Sequence, residues 1–268
     1  MAIGPAKMSI MDHLSELRLR IVRIVVCLLV ALVVFYMASP TMGQVLLWPI
    51  GEFLPTDASG AVTLSALDPF ESFTTRLQIT LFFSVIGTSP VILWQVLAFF
   101  LPALKPNERK WFVPTFVVAC GLFIFGVLFC YGAILNAAFG WLTDQASGLG
   151  TIEPRMSTYI SIIIKFLLSF GLAFEIPLVV FYLVIFNIVP YKKLRSSWRG
   201  IYITLMVICA MVTPDSSPVT MLLMFAALIV LYEASLLIAR IVLKKRIEKQ
   251  QLELDEEDEE EMTIVRKS

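Results

Sequence analysis

The sequence predicts an all-α, polytopic membrane protein with six transmembrane helices. The first observation is composition, since 58% of the 268 residues are hydrophobic, 16% are charged and the mean hydropathy is +0.85. A soluble domain is about half apolar and about a quarter charged, so this excess cannot be buried inside a globule of this size. The second observation is that the apolar residues form long runs. The third is that Lys and Arg cluster in alternate connections between those runs, which predicts an orientation as well as a topology.

Residues 1–20 are polar and mixed, and they predict an amphipathic helix ahead of the first span. Glu16 and Arg20 are spaced i, i+4, an arrangement in which an ion pair stabilises a helix by about 0.2–0.5 kcal/mol. The run Ile21–Ala38 is long enough to cross a bilayer. It is longer than the apolar core of a signal peptide, and Ser39-Pro40 stands where a cleavage site would be, so we interpret it as a retained helix.

The connections between the runs differ in charge. Residues 39–75 contain acidic residues but neither Lys nor Arg, whereas residues 102–111 and 187–199 are basic. Because cytoplasmic loops are enriched in Lys and Arg, we expect the basic connections and both chain termini to lie in the cytoplasm. The fifth span is short. The later spans are predicted at Leu77–Leu101, Phe112–Leu135, Tyr159–Phe186, Gly200–Thr213 and Val219–Ala239.

Three regions follow from these boundaries. Residues 1–20 form the cytoplasmic amphipathic segment, and residues 21–246 form the six-helix membrane domain. Residues 247–268 contain a dense acidic run, which repels itself and predicts a disordered cytoplasmic tail. Such a tail either keeps the protein soluble or has a specific function, and the sequence does not distinguish the two.

The sequence offers no catalytic residue, metal site or cofactor motif. The cysteines at 27, 120, 130 and 209 fall inside apolar runs without the spacing of metal ligands, and the one histidine, His13, precedes the first span. There is neither a Gly-rich phosphate loop nor a Gly-x-Ser-x-Gly motif. We therefore expect a protein that is not an enzyme.

A carboxylate inside the predicted fourth span is the first candidate for a functional group. Glu175 lies between Phe174 and Ile176-Pro177, where a charge costs at least about 2.5–3.5 kcal/mol. It is either a group facing a polar cavity or a neutral acid that links two helices. A proton-coupled small-molecule transporter centred on Glu175 is the alternative function, although such transporters usually carry internal repeats and none is clear here. Thr213, Asp215 and Thr220 form a second polar group, between spans five and six.

The connection after the second span holds a further candidate. Glu108 is the one carboxylate among Lys105, Arg109 and Lys110. Glu108 pairs locally with Arg109 or Lys110, or it receives a cationic group from outside the chain. The loop alone leaves both readings open.

Five motifs occur in order along the chain: Met11-Asp12-His13-Leu14-x-Glu16-Leu17-Arg18-x-Arg20, Ser89-Pro90-Val91-Ile92-Leu93-Trp94-Gln95-Val96-Leu97-Ala98-Phe99, Glu108-Arg109-Lys110, Phe170-Gly171-Leu172-Ala173-Phe174-Glu175-Ile176-Pro177 and Thr213-Pro214-Asp215. Together they resemble the motifs of the TatC family, the multispanning receptor subunit of the twin-arginine protein translocase. The resemblance extends over about residues 8–246.

The resemblance implies a site for the paired arginines of a signal peptide. Glu16 and Glu108 would each receive one arginine, with Arg18, Phe99 and Arg109 at the same site. A carboxylate pairs with a guanidinium through two parallel hydrogen bonds, which a lysine cannot reproduce.

The resemblance also implies an assembly. Glu175 would lie on a concave face of the helix bundle, and Thr213, Asp215 and Thr220 would contact TatB-like and TatA-like single-span subunits. The implied partners are these subunits, signal peptides, the lipid bilayer and further copies of the chain, without nucleic acid. The implied location is the bacterial inner membrane.

Overall fold

The computed structural model describes residues 10–55, 64–66, 68–100, 109, 112–146, 155–185, 189, 191–213 and 217–242. These ranges are helical apart from short connections and one isolated bridge between Ser65 and Arg155. The helices are α1 (Ile10–Leu47), a 3₁₀ helix (Trp48–Phe53), α2 (Pro69–Phe100), α3 (Phe112–Phe129), a π turn (Cys130–Ile134), α4 (Leu135–Ala146), α5 (Met156–Ala173), α6 (Ile176–Ile185), α7 (Tyr191–Ser196), α8 (Trp198–Val212) and α9 (Pro218–Val242).

The predicted all-α membrane fold is confirmed. Five helical stretches of the described chain are long and apolar enough to cross a membrane. Helix α8 is also apolar but has 15 residues, or about 22 Å against a hydrocarbon thickness of about 30 Å, as expected for the short fifth span. The five stretches are His13–Phe53, Pro69–Phe99, Phe112–Gln145, Met156–Val184 and Pro218–Ile241. The predicted acidic tail, residues 247–268, lies outside the described residues.

Two Ser-Pro pairs explain why α1 and α2 continue through prolines. A proline lacks the N–H that would bond the carbonyl four residues earlier. The Ser39 Oγ donates to the Tyr36 carbonyl at 2.8 Å, and the Ser89 Oγ donates to the Ile86 carbonyl at 2.7 Å. Each serine thus satisfies the carbonyl group that the following proline leaves free. Helix α1 therefore extends to Leu47, beyond the end of the first predicted span.

The third and fourth spans differ from straight helices. The third continues past its predicted end to Ala146 through the π turn, where the Tyr131 hydroxyl donates to the Val45 carbonyl of α1 at 2.6 Å. The fourth is divided into α5 and α6 at Phe174 and Glu175. Because Pro177 has no N–H, the helix after it restarts with Leu178 and Val179 N–H groups donating to the Glu175 carbonyl.

Close packing of α3 against α5 forms the centre of the core. Gly126 of α3 lies where a Cβ would stand 2.8 Å from the Phe170 carbonyl oxygen, and Gly171 of α5 lies against Phe123 and Val127. Small residues permit this close approach. Inside a membrane, where no hydrophobic effect drives helices together, van der Waals contact of this kind stabilises their packing. The largest fully buried side chains include Tyr232, Phe166, Phe170, Phe174, Ile134 and Ile163.

Two faces of the bundle are used below. The N-terminal face is the end at which α1 begins and α2 ends. The opposite face is the end at which α1 ends and both α2 and α5 begin.

On the opposite face, a buried carboxylate joins α2 to α5. Glu71 is 6% exposed. Its Oε1 accepts hydrogen bonds from Arg155 Nε at 3.0 Å, Ser157 N at 3.2 Å and Ser157 Oγ at 2.5 Å. No sequence pattern indicated this cluster, because Glu71 is more than 80 residues from both Arg155 and Ser157 and meets them only through tertiary contact.

We expect Glu71→Ala to destabilise the protein by about 2 kcal/mol, the usual scale for hydrogen bonds to a charged group. The ion pair itself adds little, because Arg155 is half-exposed. The thermal midpoint of purified protein measures this loss. Glu52→Ala, which removes an exposed carboxylate on the same face, should leave the midpoint unchanged; an equal fall in both variants would contradict the role of Glu71.

Candidate functional site

The N-terminal face brings Glu16 against the end of α2. Arg20 pairs with Glu16 one helical turn earlier, and its Nε lies 3.1 Å from Glu16 Oε1. The same guanidinium donates to Gln95 Oε1 and to the Ala98 carbonyl, each at 3.1 Å. Arg20 thus holds Glu16 in place and ties α1 to α2.

The two carboxylate oxygens of Glu16 differ, since Oε1 accepts hydrogen bonds from Arg20 and Oε2 does not. Both side chains of the pair are largely covered, with 24% of Glu16 and 16% of Arg20 exposed. Glu16 Oε2 is buried and has no hydrogen-bond partner among the described residues. A buried carboxylate oxygen without a hydrogen-bond donor is energetically costly, and a second guanidinium can supply that donor.

An aromatic pair lies beside this carboxylate. The rings of His13 and Phe99 stack with centroids 4.2 Å apart and planes 18° from parallel. Phe99 is therefore part of the α1–α2 contact and lies close to the end of α2, where the connection to α3 begins. Arg18 is exposed on α1, and Arg109 is exposed in that connection. Glu108 lies outside the described residues.

The sequence predicted the Glu16–Arg20 pair but missed the contacts that Arg20 makes with α2. Those contacts join residues 75 and 78 positions apart, and i, i+4 spacing carries no information about them. The one available sign was Gln95, a polar residue within the last turns of an apolar helix.

Glu175 lies at the junction of α5 and α6. Its Oε1 is buried and has no hydrogen-bond partner among the described residues. This leaves open both interpretations of Glu175, a group facing a polar cavity and a neutral acid that links two helices. Its role stays a prediction.

The polar group between spans five and six is partly described. The Thr213 Oγ1 donates to the Cys209 carbonyl at 2.9 Å, and the Thr220 Oγ1 donates to the Ser217 carbonyl at 3.1 Å. Ser217 caps α9 by accepting the Val219 N–H at 3.2 Å. Sequence reasoning missed this cap, although a serine directly before Pro218 is a typical helix start. Asp215 lies outside the described residues.

Glu233 of α9 joins a third cluster, near the N-terminal end of α8. Both Glu233 oxygens accept from Arg195 Nη1, at 3.1 and 2.9 Å, and the Tyr202 hydroxyl donates to Oε1 at 2.7 Å. These bonds hold α7 and α8 against α9. Glu233 therefore has a structural role.

The fold and these sites define a class, a multi-pass α-helical membrane protein with polar clusters where its helices begin, end or break. Residues 12–226 match the family model for the Sec-independent protein translocase protein (TatC). A protein of that name from Carboxydothermus hydrogenoformans is 30% identical over 238 residues, which cover 89% of this chain and 95% of the relative. One from Aquifex aeolicus is 31% identical over 243 residues, covering 90% and 98%.

A solved structure is similar as well. The crystal structure of the twin-arginine translocase receptor TatC superposes with a TM-score of 0.70 at 31% identity, covering 85% of this chain and 98% of that chain. The chain belongs to the TatC family. It is a non-enzymatic, membrane-spanning component of a protein translocase, as the motifs predicted.

Proposed function

We propose that this chain is the receptor for twin-arginine signal peptides and nucleates the export complex. The observation that carries the proposal is Glu16, whose Oε1 is held by Arg20 while its buried Oε2 has no partner among the described residues. A carboxylate fixed in this way is prepared to pair with an arginine from outside the chain.

The second arginine of the peptide is assigned to Glu108. This residue follows Phe99 by nine positions in a connection that contains Lys105, Arg109 and Lys110. Because α2 ends beside Glu16, the connection starts at the same face. Arg18, Arg20 and Arg109 give this face of the protein a positive charge. An incoming arginine competes with these cations.

The charge asymmetry of the connections supports a cytoplasmic location for this face. We assign residues 1–20 to a cytoplasmic segment, 21–246 to the membrane domain and 247–268 to a cytoplasmic tail. In a bacterium the location is the inner membrane. Thr213, Asp215 and Thr220 would meet TatB-like and TatA-like single-span subunits. Family membership does not favour the alternative, a small-molecule transporter centred on Glu175.

Photo-crosslinking of signal peptides to the purified full-length protein tests the receptor assignment. We expect an Arg-Arg peptide to crosslink to the wild-type protein, and a Lys-Lys peptide to do so at least about tenfold less. Loss of a hydrogen-bonded charge pair changes affinity by about ten- to a hundredfold. The Glu16→Ala, Glu108→Ala double variant should lose the preference for arginine.

Glu52→Ala is the matched control, since it also removes a carboxylate but lies on the opposite face. It should crosslink like the wild type. Equal crosslinking of both peptides to wild-type and double-variant protein would return Glu16 and Glu108 to ordinary surface ion pairs.

A further inference from the structure

A cavity on the opposite face has no part in the receptor site. Its volume is about 770 Å³ and it lies between α1, the 3₁₀ helix, α2 and the start of α5. One part of its lining is polar: Ser39, Gln44, Ser72, Thr75 and Arg76. Another part is apolar and includes Leu47, Trp48, Leu64, Ile79, Met156 and Ile160. The cavity is therefore amphipathic.

Arg76 is the only ionisable residue among the described residues that line the cavity. Its guanidinium is positioned by α1, because Nε donates to Ser39 Oγ at 2.6 Å and the group lies 4.9 Å from the centre of the Tyr36 ring. These contacts hold the guanidinium in place without neutralising it. Glu71, which lies five residues earlier in α2, is paired with Arg155 instead.

Thr75 provides a second, independent sign of a ligand. It lines the same cavity, is 1% exposed, and its Oγ1 has no hydrogen-bond partner among the described residues. The other threonines of α2 each donate to a carbonyl one turn earlier: Thr74 to Phe70, Thr80 to Arg76 and Thr88 to Ser84. A buried hydroxyl without a partner is costly unless something binds it.

The position of the cavity along the helix indicates the kind of anion. Arg76 is the eighth residue of α2, so it lies about 10 Å from the start of the helix. It also directly precedes the predicted second span, at the level where lipid headgroups meet hydrocarbon. Trp48 and its indole ring suit the same level. The apolar wall would contact acyl chains while the polar side would contact a headgroup.

We propose that this cavity binds one phospholipid through its phosphodiester group, with Arg76 as the principal contact and Thr75 as a hydrogen-bond donor. A guanidinium matches two phosphate oxygens at once. The bound lipid would fill the space between α1 and α2. This proposal is independent of the signal-peptide site, which lies at the other end of both helices.

Native mass spectrometry of the purified, delipidated full-length protein tests the site with dioleoyl phosphatidylglycerol as the probe. We expect one molecule to bind tightly, and Arg76→Gln to weaken this binding at least about tenfold. Dioleoylglycerol, which has the same chains without the phosphate, should not bind. Arg240→Gln removes an exposed arginine near the end of α9 and should leave the tight site unchanged.

Thr75→Val separates a ligand contact from a folding defect, because the two predict opposite signs. Removal of a buried, unpartnered hydroxyl should raise the thermal midpoint of the lipid-free protein. The same change should weaken phosphatidylglycerol binding about threefold. A variant that was merely misfolded would lose both stability and binding.

Three results would overturn the proposal. The first is equal phosphatidylglycerol binding by wild-type and Arg76→Gln protein, or an equal loss in Arg240→Gln. The second is displacement of the lipid by glycerol phosphate at the same concentration, which would indicate a site for a free phosphate. The third is an absence of phosphatidylglycerol binding together with a crosslink from the Arg76→Cys variant to a co-purified single-span subunit. That result would indicate a protein partner.

Discussion

Glu108→Ala is expected to abolish export of folded twin-arginine substrates. Alanine offers an arriving arginine no acceptor, and it leaves Lys105, Arg109 and Lys110 as an uncompensated positive patch that repels the peptide. Together these effects should reduce export at least about a hundredfold. The measurement is the fraction of a reporter substrate found outside the cytoplasm of cells whose own TatC is deleted.

Glu175→Gln is the informative comparison in the same assay. It keeps the size and polarity of the side chain at the α5–α6 junction, replaces one oxygen with an NH2 group and removes the ability to ionise. We expect a smaller reduction of export than in Glu108→Ala, with equal amounts of both variants in the membrane. If Glu175→Gln abolished export and Glu108→Ala did not, the essential charge would lie within the membrane, and the assignment of the receptor residues would be wrong.

Gly126→Ala is expected to have the largest effect on folding. The added Cβ would stand 2.8 Å from the Phe170 carbonyl oxygen and 2.9 Å from Phe174 Cγ. A backbone oxygen cannot move aside by changing rotamer, so α3 and α5 must separate. We expect a loss of about 3 kcal/mol, at the upper end for overpacking, and a lower thermal midpoint of the purified protein.

Gly121→Ala is the matched control for this prediction. It lies in the same helix, and a Cβ at this position would meet nothing within 4 Å. Alanine favours a helix over glycine by up to about 1 kcal/mol, so this variant should be as stable as the wild type or slightly more stable. Equal midpoints for Gly121→Ala and Gly126→Ala would show that the α3–α5 contact tolerates a methyl group.

The existence and order of the spans could be predicted because they depend on composition along the chain. The ends of the helices could not. The first span ends at Leu47 instead of Ala38 because Ser39 satisfies the carbonyl that Pro40 leaves free. At Glu175 the helix does break, in contrast to Pro40 in α1. Pro177, two residues later, lies in the first turn of the next helix.

The candidate sites divide in the same way. The pairing of Glu16 with Arg20 follows from local spacing. The bonds from Arg20 to α2 and the unpartnered Thr75 do not, because they depend on which helices become neighbours. Resemblance to a family supplied the roles of Glu16 and Glu108, which charge and spacing alone left open.

The Ser-Pro pair in α2 has a mechanical consequence. At Pro90 a hydrogen bond from the Ser89 side chain replaces a backbone hydrogen bond of the helix. The serine side chain can rotate about a single torsion, so the helix bends more easily here than where backbone hydrogen bonds are intact. The eleven residues from Pro90 to Phe100 form an arm of about 15 Å, so a bend of about 10° would move its tip by about 3 Å. Since this arm carries Gln95, Ala98 and Phe99, a small flexure at the proline would shift the contacts that these residues make with Arg20 and His13 of α1. The segment of α2 before Pro90 need not move.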